Sequence, residues 1–160
     1  MGRYSVGDCK RKGLTLRNEM KIKLHSLSIN EGMARAAVAA FCVQADPSAT
    51  ELADIKCAVS EAVTNCIVHA YRETIGEIQL RVQIFNEATV WIEIRDRGCG
   101  IENVRQAREP LYTTDRENER SGMGFTVMEN FCDGVRVSSH PGKGTIVTLV
   151  KRLQERCLHT

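Results

Sequence analysis

Glu61 and Asn65 stand four residues apart on what reads as the longest helix of the chain. At that spacing two side chains lie one above the other on a helix surface. Their face is turned away from the apolar stripe through Leu52, Val59, Ala62 and Cys66. Solubility alone could account for such a pair. As chemistry, the asparagine oxygen suits a Mg2+ ion that keeps water and phosphate as its other ligands. Glu61 could then orient or deprotonate an attacking hydroxyl. His69, one turn further on, reads as a helix-edge residue rather than a catalyst.

Three glycine-bearing motifs accompany the pair. Asp96-Arg-Gly98-Cys-Gly100 follows a strand. Glycine there allows a sharp turn and close approach to a flat ligand, and the Asp96 carboxylate can accept a hydrogen bond from an exocyclic amine. Ser121-Gly122-Met123-Gly124 opens a helix, where unpaired backbone N–H groups and the positive dipole end favour phosphate. Gly142-Lys-Gly144-Thr145 joins two closing strands. Singly, each motif reads as turn chemistry; in this order and on these elements they point to one site.

The elements that must position these residues follow from periodicity. Met20, Ile22 and Leu24 alternate with polar residues as a half-buried strand does. Asn30 can cap a helix with Met33, Ala37, Val38 and Phe41 inward, and Asp46-Pro47 ends it. Ser48-Ala-Thr-Glu51 is a capping box for the long helix, which runs to about Tyr71. Ile78 to Ile84 and Val90 to Ile94 form two antiparallel strands joined through Asn86-Glu87. From Ile101 to Arg120 the chain is polar, with a short helical stretch around 103–108, and reads as a functional lid. A helix with Val127, Met128 and Phe131 inward follows, then strands near 135–138 and 145–149. This β-α-α-β-β-lid-α-β-β order predicts an α+β fold, with helices layered on one face of a mostly antiparallel sheet. Residues 1–15 read as a disordered extension, 16–152 as the domain and 153–160 as a tail.

Composition narrows the class. The chain has 160 residues, 42% hydrophobic and 26% charged, which excludes a disordered tail, a collagen-like fibre and a coiled-coil rod. Its 22 basic and 20 acidic residues leave a net charge of +2, so nucleic acid is a poor default partner. Apolar runs are too short for a bilayer-spanning helix, and the first twenty residues have no apolar stretch like that of a secretory signal. The seven cysteines form no C-x-x-C pair and several lie on apolar helix faces, which predicts a reduced, cytoplasmic protein.

Glu61-Ala-Val-Thr-Asn65, Asp96-x-Gly98-x-Gly100, Gly122-Met123-Gly124 and Gly144-Thr145 resemble the N, G1, G2 and G3 boxes of the Bergerat-type ATP-binding family. That family includes gyrase B, Hsp90, MutL, histidine kinases and anti-sigma serine kinases. The resemblance covers about residues 16–150. Leu16-Arg-Asn-Glu-Met20, Ser60 to Asn65, Pro110-Leu-Tyr-Thr-Thr114 and Glu119 to Phe131 are closely similar to the sporulation branch of the anti-sigma kinases.

The resemblance implies a two-layer sandwich with an ATP lid, and a cytoplasmic homodimer with two tasks. One is to bind a sporulation sigma factor, sigma-F, and keep it from RNA polymerase. The other is to use ATP to phosphorylate a serine of an anti-anti-sigma partner, which it can instead hold unphosphorylated when ADP is bound. Direct contact with nucleic acid or membrane is not implied. By position, Asn65 takes the Mg2+ ion, Glu61 the role of general base, and Asp96 the adenine amine. Gly98 and Gly100 let the nucleotide close in, and Gly122 and Gly124 meet its phosphates. Thr113, Thr114, Ser121, Met123 and Thr145 fall beside the nucleotide in the same scheme. Arg35 matches a partner-binding arginine on the first helix, and Arg120 is placed at the γ-phosphate or a partner.

Three positions depart from the family pattern: Asp115 replaces a lysine, Ala70 a glycine and Tyr112 a phenylalanine. The alternatives are a general-stress anti-sigma serine kinase and an isolated ATP-binding module of a histidine kinase. The second shares the boxes but also needs a helical domain carrying the accepting histidine. Without a P-loop or the H-R-D and D-F-G motifs, the ordinary protein-kinase fold is excluded.

Overall fold

Strict alternation of apolar and polar residues sets the sheet. In the computed structural model, which describes residues 2–7, 11–110 and 122–154, the strands are β1 (Gly2–Gly7), β2 (Leu16–His25), β3 (Glu77–Phe85), β4 (Thr89–Arg95), β5 (Gly134–His140) and β6 (Gly144–Arg152). They form one sheet in the order β1-β5-β6-β4-β3-β2, every neighbour antiparallel. Ile78, Leu80, Val82 and Ile84 of β3 and Val90, Ile92 and Ile94 of β4 are buried on one face. The register sets Val82 opposite Ile92 and Leu80 opposite Ile94, so the same face is apolar on both strands. On the opposite face Phe85, Trp91 and Val150 form a second, small cluster with Leu14 against it.

That apolar face is covered by α1 (Ile29–Cys42), α2 (Ala49–Asn65) and α4 (Gly124–Phe131), with α2 packed between the other two. The short α3 (Val104–Ala107) has Asn103 as its cap, the Asn103 side chain accepting from Gln106 N at 3.0 Å. The capping box forms as the sequence predicts: Glu51 N donates to Ser48 Oγ at 3.1 Å and Ser48 N to Glu51 Oε2 at 2.7 Å. A cap of this kind is worth about 1 kcal/mol. It starts a helix that buries Ile55, Ala58, Val59, Ala62 and Val63. Each of the larger of these contributes about 1.5–3 kcal/mol on burial.

Four expectations are corrected. Residues 1–15 are not without structure: Gly2–Gly7 pairs along β5, from Gly2 opposite Ser139 to Gly7 opposite Gly134. The alternation of Tyr4 and Val6 between two glycines is too short to stand out as a periodic signal. Asn30 does not cap α1. Ser28 takes the cap position, and Asn30 Nδ2 donates to the His25 carbonyl at 2.9 Å, fastening the first turn to the end of β2. The buried stripe of α1 is Ala34, Val38, Ala39 and Cys42, one position round from the expected one, and Met33 is 48% exposed. Finally, the long helix is α-helical only to Asn65. Cys66–Ala70 is a π turn, closed by Tyr71 N donating to the Cys66 carbonyl at 3.2 Å.

Candidate nucleotide site

Asp96 lies one residue beyond β4 and is 5% exposed. Its Oδ1 accepts from Gly98 N at 2.9 Å and Thr145 N at 3.2 Å, and its Oδ2 faces the Cys66 thiol at 3.6 Å. Burial pushes the Asp96 carboxyl above its ordinary pKa, while the two backbone donors and the thiol pull it back. Thr145 is buried behind it and shares a 2.8 Å hydrogen bond with the Ser139 hydroxyl. Ser139 Oγ also accepts from Ile101 N at 2.8 Å, tying the chain after Gly100 to β5.

The glycines allow the sharp turns expected from the sequence and also a close approach of neighbouring loops. A Cβ on Gly98 would lie 2.3 Å from the Ala70 carbonyl oxygen, and one on Gly100 would lie 2.1 Å from that of His140. One on Gly144 would lie 2.2 Å from the Asp96 carbonyl oxygen. The space that a side chain would need is therefore filled by backbone. These residues let three loops close on one another: the π turn, the Asp96–Gly100 segment and the β5–β6 turn. Cys99 N donating to Ala70 O at 3.0 Å and Gly142 N to Cys99 O at 2.7 Å complete the junction. At Gly100 and Gly144 the backbone also requires it, with φ of +73° and +93°.

Glu61 and Asn65 are half-buried on α2, against the start of α4. A Cβ on Gly124 would sit 3.1 Å from Glu61 Oε2 and 3.4 Å from Asn65 Oδ1, so the start of α4 lies directly over the pair. Met123, at the N-cap of α4, makes no side-chain cap, so the first-turn N–H groups are not satisfied by it. A helix N-terminus favours an anion, the Glu61 carboxylate or a phosphate. Asn65 and Asp96 are joined through the residue between them in space, Cys66, which follows Asn65 in the chain and touches Asp96. The structure thus brings Glu61, Asn65, Asp96, Gly98, Gly100, Gly122, Met123, Gly124 and Thr145 to one end of the sheet. Thr113, Thr114, Arg120 and Ser121, with Tyr112 and Asp115, lie outside the described residues.

Arg35 stands apart, exposed on α1 and 3.8 Å from Glu31. Glu31 in turn accepts from the Ser60 hydroxyl on α2. Sequence reasoning missed Cys66, Ser139 and the π turn. Cys66 was hidden because it falls on the apolar stripe of the long helix, where a cysteine reads as a small hydrophobe. Cys42 illustrates that bland role, with burial alone pushing its thiol to about 12.

This arrangement of a buried carboxylate, a polar helix pair and a bare helix start defines a nucleotide-binding α+β domain. A family model described as "Histidine kinase-like ATPase domain" matches residues 28–151. Among individual relatives, the chain is 54% identical over 139 residues to the Anti-sigma F factor of Pasteuria penetrans, covering 86% of this chain and 93% of that protein. It is 48% identical over 141 residues to the Anti-sigma F factor of Bacillus subtilis, covering 88% and 96%. In fold it is similar to the RsbU and RsbW domains of Rv1364c from Mycobacterium tuberculosis, with a TM-score of 0.64 and 21% identity, over 88% of this chain and 34% of that one. The chain belongs to the histidine kinase-like ATPase family and, within it, to the anti-sigma F factors.

Proposed function

We propose that this chain is an anti-sigma factor that holds a sporulation sigma factor of the sigma-F type away from RNA polymerase. In this reading it also acts as a serine kinase on an anti-anti-sigma partner, as a cytoplasmic homodimer. The observation that carries the reading is the convergence of Glu61, Asn65 and the start of α4 beside the buried Asp96. Asp96 would take the adenine amine on Oδ2, since Oδ1 is already held by two N–H groups. The phosphates would run toward Gly122 and Gly124, with Thr113, Thr114, Arg120 and Ser121 proposed to close over them.

Mg2+ fits this chemistry. Among the described residues no three His, Cys, Asp or Glu side chains gather to hold a metal alone. The Asn65 amide oxygen would hold it together with phosphate oxygens and water, and when bound it neutralises phosphate charge. Glu61 would accept the proton of the serine hydroxyl as that oxygen attacks the γ-phosphorus.

On the partner side, Arg35 sits beside an exposed apolar stripe on α1. Ile29 is 82%, Met33 48% and, just past the helix, Val43 58% exposed, with Ala36 and Ala40 between them. An exposed stripe of this kind flanked by an arginine suits a protein interface. No helix among the described residues is long and apolar enough to cross a membrane. The test is to mix the purified chain with its candidate sigma and anti-anti-sigma partners and γ-labelled ATP. Label on a partner serine is expected; label on a histidine of this chain would contradict the reading and favour a histidine kinase module.

A further inference from the structure

Cys66 has no place in the family scheme as read from the sequence, yet it is the residue that touches the functional oxygen of Asp96. Among the described residues its Sγ is the one donor on Oδ2, at 3.6 Å, while Oδ1 holds Gly98 N and Thr145 N. Both side chains are closed off from solvent, Cys66 4% and Asp96 5% exposed, so water does not compete freely for that oxygen. In this contact the thiol donates and the carboxylate oxygen accepts. Cys66 also opens the π turn directly after Asn65, so the same backbone that fixes Asn65 fixes the thiol. π turns interrupting helices are frequent at functional sites.

We infer that Cys66 is a positioning residue for adenine recognition: its thiol holds Asp96 Oδ2 so that the oxygen's remaining lone pair faces the purine amine. This rests on the proposed reading of Asp96 as the adenine-reading carboxylate. A carboxylate has about four lone-pair sites, so the thiol and the amine can share one oxygen. Losing a weak donor loosens the orientation without removing the charge, and the expected cost is about 3- to 10-fold in affinity.

The test compares ATP with purine riboside triphosphate, which lacks only the 6-amino group, by calorimetry on the full chain. The ratio of the two affinities isolates the amine contact, whereas general damage to the pocket lowers both affinities together. Cys66→Ala should lower ATP affinity about 3- to 10-fold with the analogue unchanged, so the ratio falls. Cys66→Ser keeps a donor, and a stronger one, so its ratio should equal or exceed that of the parent. An unchanged ratio in Cys66→Ala would overturn the inference, as would a fallen ratio in Cys66→Ser, which can be read even if the alanine variant does not fold. A parent protein that binds both nucleotides equally would overturn the reading of Asp96, and this inference with it. Discrimination in the parent that survives in Cys66→Ala would overturn the inference alone.

Discussion

At the Asp96 end of the site the carboxylate is buried and held largely by backbone: two N–H groups take one oxygen, and glycines let neighbouring loops pack around it. At the other end Glu61 and Asn65 are half-buried side chains on one helix, facing the bare start of another. In the proposed reading, the difference is what the two tasks would require. Recognition of a base needs a fixed acceptor with water kept away, and backbone donors provide it with little conformational freedom to lose. Phosphoryl transfer would need groups that meet a substrate entering from outside, which half-buried side chains suit better than fully buried ones. The first end should fail through folding or affinity, the second through rate.

The largest effect should come from the second end. Glu61→Gln keeps shape and hydrogen bonding but cannot take a proton, and a general base contributes about 10²–10⁴-fold. Phosphorylation of the partner should slow at least ~100-fold in a single-turnover assay. Sequestration of the sigma factor should persist, giving a permanently engaged inhibitor. A near-normal rate would reduce Glu61 to a solvated helix residue.

Next comes Gly144→Ala. It would set a methyl group against the Asp96 carbonyl at a backbone φ of +93°. With backbone on both sides nothing can give way, and the expected loss is about 3 kcal/mol or more. Thermal unfolding should show Tm lowered by roughly 6–12 °C. A small shift would mean that the β5–β6 turn is free to move from Asp96.

Asp96→Asn should separate binding from stability. Leaving the ligand's amine poorly matched costs about 1–3 kcal/mol, or 5- to 150-fold in ATP affinity by titration. Stability should move the other way. A carboxyl whose folded pKa is raised by burial contributes stability below its unfolded pKa and loses it as pH rises through the folded one. At neutral pH the ionised Asp96 is thus a burden on the nucleotide-free protein. The amide removes it, so the variant's Tm should exceed the parent's near neutrality, with the gain shrinking toward acid pH. A gain that does not depend on pH would mean that burial of the charge is not the cause.

The smallest change in the domain itself should come from Arg35→Ala. Its ion pair with the half-buried Glu31 is long at 3.8 Å and exposed on the arginine side, and surface pairs contribute about 0–1 kcal/mol. ATP affinity and Tm should stay close to the parent's, while partner binding, measured by surface plasmon resonance, weakens. Loss of ATP binding as well would mean that the α1 face and the nucleotide site are not independent.

Much of the scaffold could be read from residues because local and global patterns agreed. The capping box at Ser48, the period of α2 and the alternation in β3 and β4 each pointed to the element that formed. The rest depended on tertiary contacts that leave little local signal. Ala34 rather than Met33 is buried because α1 is rolled against α2, which no periodicity of small residues fixes. The gathering of the four motifs was readable from their order. Which loops the glycines bring together was not, since only the folded loops reveal that Gly98 must clear Ala70 and Gly144 must clear Asp96. Cys66 could be seen as apolar from its place on α2, but its contact with Asp96 joins residues thirty positions apart.

Titration of ATP into the Glu61→Gln protein, beside the parent, tests the division between the two ends most directly. The account predicts affinities within about 3-fold of each other, a difference under 1 kcal/mol, because Asp96 and its backbone donors are untouched. A variant whose ATP affinity falls in step with its rate would contradict it, showing that Glu61 helps to hold the nucleotide and that recognition and chemistry are not built separately.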